Sequence, residues 1–248
     1  MIGFNRYFGW YPGQNGSIGQ WADDFHAHYP GRPFAVSEYG AGASIRHQQV
    51  PPPETNVPES GWHPEQAQTA YHMQNWPQLA ARPYLFGTFV WVAFDLASDG
   101  RHEGDRPGIN DKGLISYDRA VRKDAYFYYQ ANWSDRPMVH IADRRLGVRT
   151  EAMVPVVAFT NAARASLTVN GQSMGEAVAE NHVLRWPAVP LAVGENVVTV
   201  TASSNGQTLR DTVRWTRVPP SAFGAKAVPL VQPARRPTES AAPPGQEK

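Results

Sequence analysis

The chain has 248 residues, of which 42% are hydrophobic and 18% charged, and its formal net charge is +1. That length suits one or two domains, and that composition suits a globular chain with a sizeable core. A charge so near zero points away from nucleic acid or an anionic membrane as partner, and the absence of cysteine excludes disulfides, thiolate metal sites and a cysteine nucleophile.

No apolar run approaches the ~18 residues of a membrane-crossing helix. Met1 is followed by Ile2-Gly3-Phe4-Asn5-Arg6-Tyr7, which reads as the inside of a strand rather than a leader, so the chain is expected to continue upstream. Eight Trp is a high count. A large core accounts for it, and so does a cleft in which indole faces stack on pyranose rings.

In chain order, residues 2–10 predict a strand. Residues 18–29 predict a helix, because Ile18, Trp21, Ala22 and Phe25 fall on one face. Residues 32–39 predict a second strand, 40–62 a long Gly/Pro-rich loop, 64–80 a helix with Pro64 in its first turn, and 84–91 a third strand. The near-continuous apolar runs of the last two strands suit burial on both faces of a parallel sheet, and the alternation predicts an α/β fold. Past Trp133-Ser134 the helical period stops. Short alternating runs at 155–160, 165–169, 183–186, 196–202 and 212–216, with Asn170-Gly171 and Asn205-Gly206 as hairpin turns, predict a small all-β sandwich over 137–217. Residues 218–248, rich in Pro and Ala, predict a disordered tail.

Ser37-Glu38-Tyr39-Gly40 ends a buried strand, where a carboxylate is unfavourable unless paired or used. In a β/α barrel such strand ends carry the active site, which makes Glu38 a nucleophile candidate. The alternative is a structural Glu paired with Arg6 or Arg46. Tyr7, on the neighbouring segment, could donate a hydrogen bond to Glu38, whereas Phe8 and Trp10 read as packed aromatics. Trp91 could floor a sugar subsite or simply fill the core, and Asp95 could bond a hydroxyl or hold a loop. The charged and Gly-containing stretches 101–105 and 108–113 read as a solvated loop. Asn15-Gly16-Ser17 and Asn132-Trp133-Ser134 match the short glycosylation pattern, which is common by chance. The eight His show no metal-ligand spacing.

Six motifs occur in one order: Asn5-Arg6-Tyr7-Phe8-Gly9-Trp10-Tyr11, Ser37-Glu38-Tyr39-Gly40, the segment from Gly87 to Asp95, Glu103-Gly104-Asp105, Asn110-Asp111-Lys112-Gly113-Leu114-Ile115, and Lys123-Asp124-Ala125-Tyr126-Phe127-Tyr128-Tyr129. Together they resemble the last three β/α units of the catalytic (β/α)8 TIM barrel of glycoside hydrolase family 2, over roughly residues 1–133. Leu167-Thr168-Val169-Asn170-Gly171-Gln172, Trp186 and the Gly194-Glu195-Asn196 turn resemble the Ig-like domain that follows the barrel in many bacterial β-galactosidases of that family. The resemblance implies that Glu38 is the nucleophile of a retaining β-glycosidase, that Tyr7 orients it and that Trp91 walls the sugar subsite, with Asn5 facing the same cleft. Asn110 and Lys112 match positions at which the family's β-glucuronidases grip the substrate carboxylate. Asn110-Asp111-Lys112-Gly113 also resembles the galactosidase members.

The sequence departs from the family in two respects, and in the first of them five of the eight barrel strands are missing. The family's acid/base is a Glu that follows an Asn on an earlier barrel strand, and no Asn-Glu pair ends a strand here. The sequence thus reads as an α/β-plus-all-β fragment of a retaining exo-β-galactosidase acting on a β-galactoside or other β-glycoside. The alternatives are a β-glucuronidase or a non-catalytic carbohydrate-binding sandwich. No organic cofactor is implied, and from the His spacing no metal site is expected. Nothing in the sequence specifies an oligomeric state, and sugar processing suits the periplasm or secretion.

Overall fold

The computed structural model describes residues 1–14, 16–204 and 206–220. The predicted turn residue Asn205 and nearly all of the predicted tail therefore lie outside the described residues. The fold is mostly sheet.

Strands β1 (Ile2–Asn5), β2 (Phe34–Tyr39) and β3 (Leu85–Val90) form a parallel sheet in the order β1-β2-β3. Helix α1 (Ile18–His28) connects the first two strands and α2 (Glu65–Ala80) the last two. The Ser17 hydroxyl accepts a hydrogen bond from the Gln20 amide at 3.1 Å and so caps α1. Phe4 and Phe34 project from adjacent strands against this helix. The Phe4 ring meets Phe25 at 4.9 Å and Trp21 at 5.4 Å, both edge-on, which accounts for the apolar stripe along α1.

Two expectations need correction. The first strand stops at Asn5 because the Tyr7 carbonyl accepts hydrogen bonds from the Trp10 and Tyr11 amides, closing a turn with Gly9 at φ 84°. Tyr7 therefore lies just past a strand end. Nor is β3 buried on both faces. Phe86 is 50% and Phe89 57% exposed, and three residues apart on a strand they point to opposite faces. β3 is a sheet edge, whereas central β2 buries Phe34, Ala35, Val36 and Tyr39.

After β3 the chain makes a small antiparallel pair, β4 (Leu96–Ala97) with β5 (Ile109–Asn110), and then helix α3 (Asp124–Trp133). Eight further strands follow: β6 (Val139–Ile141), β7 (Val148–Arg149), β8 (Met153–Thr160), β9 (Arg164–Val169), β10 (Gln172–Val178), β11 (Val183–Pro190), β12 (Gly194–Ser204) and β13 (Gln207–Arg217). They form two sheets, β11-β8-β6 and β10-β9-β12-β13-β7. Val156, Leu167, Leu184, Val198, Val200 and Trp215 are fully buried or nearly so and belong to one apolar core. This is a sandwich built on period-two alternation. The β9–β10 turn has Asn170 at φ 52° and Gly171 at φ 81°, the doubly positive pair that an Asn-Gly hairpin requires. No helix among the described residues is long and apolar enough to cross a membrane.

Helices and sandwich share a joint. Tyr128 and Ala131 of α3 pack with Phe159 of β8 and Val183 of β11. Beside them lies a buried ionic cluster. Arg145 forms a two-pronged ion pair with Glu65, which also accepts the Asp124 amide at 2.7 Å. Asp124 in turn accepts from His140 Nε2 at 3.0 Å and from the Asp143 amide at 2.7 Å. Burial pushes the His140 imidazole down to about 3, with the Arg144 charge adding to the shift, so the ring donates as a neutral group. Removing Arg145 would leave the fully buried Glu65 carboxylate uncompensated. Arg145→Ala is expected to destabilise the chain by about 3 kcal/mol, the lower end for breaking a buried pair, because Arg145 is itself partly exposed. Urea unfolding of the two proteins measures it.

Candidate functional site

Parallel pairing of β1 with β2 sets Asn5 opposite Glu38, with a bulge between Phe4 and Asn5. The Arg6 amide donates to the Glu38 carbonyl at 2.8 Å, so the turn after β1 is stitched to the end of β2. That stitch brings Tyr7 over the carboxylate. The Tyr7 hydroxyl donates to Glu38 Oε2 at 2.8 Å. Burial, and then the hydrogen bond and negative charge of Glu38, push the Tyr7 phenol far above its ordinary range, so it stays a proton donor. Glu38 itself is half-buried. Neither arginine considered as its partner pairs with it: the Arg6 guanidinium lies 4.6 Å from the centre of the Trp21 ring, and Arg46 reaches Asp105 at 3.5 Å. Asn5 is exposed, and its Oδ1 accepts from the Ser37 hydroxyl at 2.9 Å.

Trp91 follows β3 directly, and its amide donates to the Tyr39 carbonyl at 2.8 Å. The approach is close enough to require glycine in Ser37-Glu38-Tyr39-Gly40, since a Cβ on Gly40 would sit 2.0 Å from the Trp91 carbonyl oxygen. Half-buried Trp91 thereby stands beside the end of the Glu38 strand.

The loop after β3 is not simply solvated. Glu103, Asn110, Asp111 and Lys112 are all buried. The Lys112 ammonium lies 5.2 Å from the Trp10 ring centre and 5.5 Å from that of Tyr11, with one carboxylate contact, Glu103 Oε1, at 3.5 Å. Glu103 is held in turn by Arg101. The Asn110 amide oxygen accepts the Lys112 backbone N–H at 3.2 Å. Asp95 holds the loop and not a ligand: it takes Lys123 Nζ at 2.8 Å and the Gly113 amide at 2.9 Å. Burial raises its carboxyl to about 6 against the opposing pull of Lys123.

Glu38, Tyr7 and Lys112 are thus linked through aromatic rings. Tyr7 meets Tyr11 edge-on at 5.2 Å, and Tyr11 lies against Lys112. Asn5 and Trp91 flank the Glu38 strand end on either side. Phe8 and Trp10 are buried, as expected, but Trp10 also supports Lys112. Sequence reasoning missed Tyr11, and it missed His63, whose Nδ1 donates to Asp111 at 2.8 Å from 48 positions away. Burial raises the Asp111 carboxyl, but the His63 contact and the Lys123 and Lys112 charges outweigh it and hold the group below its ordinary range. Asn132, in one glycosylation-like triplet, has its amide engaged on both sides, with Trp76 and with the Tyr128 carbonyl. Among the described residues no cluster of three or more His, Asp or Glu could hold a metal ion.

Comparison with known proteins finds glycosidases among the relatives of the chain. Residues 151–210 match the family described as a domain of unknown function, DUF4982. A β-glucuronidase of Bacteroides fragilis is 46% identical over 202 residues, covering 81% of this chain and 29% of that protein. The β-galactosidase BoGH2A of Bacteroides ovatus is 19% identical over 165 residues, covering 60% of this chain and 19% of that protein. The crystal structure of a Bacteroides uniformis β-glucuronidase superposes with a TM-score of 0.76 at 31% identity, covering 88% of this chain and 26% of that one. The chain therefore spans under a third of the length of these relatives. Its motifs and these relatives together show that the chain belongs to glycoside hydrolase family 2.

Proposed function

We propose that the chain supplies the nucleophile half of a retaining β-glycosidase site. On this reading residues 1–133 are the last three units of a (β/α)8 barrel and 137–217 an Ig-like domain. The observation that carries it is the Tyr7–Glu38 hydrogen bond at adjacent strand ends, beside Trp91. Glu38 attacks the anomeric carbon, and the glycosidic C–O bond breaks. A carboxylic acid from another part of the full-length protein protonates the leaving oxygen and then activates the water that releases the sugar. Tyr7 holds Glu38 in its attacking orientation, Asn5 lines the same cleft and Trp91 stacks on the sugar. In the full-length enzyme, a 2-fluoro glycoside that traps the covalent intermediate is expected to label Glu38; labelling elsewhere overturns the assignment. Tyr7→Phe removes a hydrogen bond to a charged group, worth about 1.5–3 kcal/mol. Turnover is therefore expected to fall about 10–100-fold with the fold unchanged, read by steady-state kinetics and circular dichroism.

For the sugar, the β-glucuronide is favoured over the galactoside. Lys112 is a buried ammonium whose one described carboxylate contact is long, and Asn110 lies beside it. The B. fragilis relative at 46% identity is a β-glucuronidase. The galactosidase reading draws support from the same contact, because Glu103 already faces the Lys112 charge. Hydrolysis of aryl β-glucuronide against aryl β-galactoside separates the two. Lys112→Met is expected to lower kcat/KM for the glucuronide by about 10–100-fold, the value of a charge-assisted contact, and to spare the galactoside.

A further inference from the structure

We propose that His63 is a positioning residue for sugar recognition: it clamps Asp111 and thereby fixes the Asn110–Lys112 segment against the substrate. The proposal rests on the glucuronide reading above. His63 closes the long loop between β2 and α2 and is 2% exposed. Its ring is held on three sides. Nδ1 donates to Asp111 Oδ2 at 2.8 Å, Nε2 lies 3.1 Å from the Pro58 carbonyl, and Trp10 packs edge-on at 5.1 Å.

Asp111 is the middle residue of the segment, between Asn110 and Lys112, directly after β5. Its backbone is anchored as well: the carbonyl accepts the Ala43 amide at 3.0 Å and Lys123 Nζ at 2.8 Å. Two glycines make room for the carboxylate. A Cβ on Gly42 would lie 2.4 Å from Asp111 Oδ1, and one on Gly104 2.4 Å from Oδ2. Among the described residues His63 makes the one hydrogen bond to this carboxylate, and Oδ1 has none. Without His63 the buried carboxylate would have no hydrogen-bond partner, and it would turn toward one. Lys112 and Asn110 would move with it. A displacement of ~1 Å in a positioning group can cost about 10²-fold.

The test uses the full-length enzyme, with Lys112→Met as reference and 4-nitrophenyl β-glucuronide and β-galactoside as probes. His63→Ala is expected to raise KM for the glucuronide about tenfold or more, with kcat and galactoside kcat/KM changed less than about threefold. His63→Gln, whose amide can still donate to Asp111, is expected to lie between wild type and His63→Ala. An unchanged glucuronide KM, or kcat falling in parallel on both sugars, overturns the proposal. Should His63→Ala not fold, His63→Gln alone decides, by whether glucuronide KM rises selectively. If Lys112→Met abolishes the glucuronide preference and the His63 variants leave KM alone, only this proposal fails. If Lys112→Met leaves the preference intact, the glucuronide reading itself fails.

Discussion

Glu38→Gln in the full-length enzyme is expected to lower turnover by about 10⁴-fold or more, the scale on which removal of a catalytic nucleophile acts. The substitution keeps the size of the side chain and replaces a carboxylate oxygen by an amide that cannot form the glycosyl ester. Tyr7 can still donate to the remaining carbonyl oxygen, so the turn after β1 stays docked on β2 through that bond and through the Arg6 amide to the Glu38 backbone. Stability should therefore barely change: Glu38 is half-buried, and among the described residues no cation depends on its charge. Steady-state kinetics beside a thermal melt check both halves. A drop in turnover accompanied by a large fall in thermal midpoint would mean that Glu38 is a structural residue, the alternative left open by its position at a strand end.

Local chemistry made much of this architecture legible. The stripe of Ile18, Trp21, Ala22 and Phe25 marks α1 because one helix face must cover Phe4 and Phe34. Asn170-Gly171 marks its hairpin because few other pairs adopt two positive φ angles in succession. Glu38 stood out because an apolar strand rarely ends in a carboxylate. Apart from the Tyr7–Glu38 bond, interactions across long sequence distances were illegible. Asp95 keeps the appearance of a ligand until Lys123 is seen to reach it, and nothing in the spacing of His63 and Asp111 announces their contact. Edge strands failed for a different reason. β10 has five of its seven residues exposed and a glycine at position 175, so it lacks the apolar alternation that revealed β8, β9 and β12. The apolar run of β3 suggests burial on both sides, yet β3 is an edge of its three-stranded sheet and leaves Phe86 and Phe89 exposed.

The 248-residue chain by itself is expected to show no glycosidase activity above a Glu38→Gln control. Its parallel sheet has three strands, whereas a closed barrel needs about eight, and both outer strands carry exposed apolar side chains: Ile2 on β1, Phe86 and Phe89 on β3. Retaining hydrolysis also needs a second carboxyl group about 5–5.5 Å from the nucleophile to protonate the leaving group. Three acidic residues of the segment after β3, Asp95, Glu103 and Asp105, are already engaged: Asp95 with Lys123 and the Gly113 amide, Glu103 with Arg101 and Lys112, Asp105 with Arg46. Burial raises the Asp95 carboxyl to about 6, within the range of a general acid, but Asp95 is 5% exposed and committed to holding the loop. Loss of general-acid assistance alone is worth about 10²–10⁴-fold, before the sugar contacts supplied by the rest of a barrel are counted. The measurement is release of nitrophenol from aryl β-glucuronide and aryl β-galactoside by the purified chain, with its oligomeric state followed by light scattering because open sheet edges favour association. Glu38-dependent turnover by the monomeric chain would show that one of these three loop acids reaches the leaving group after all, and Asp95→Asn and Glu103→Gln would then identify which.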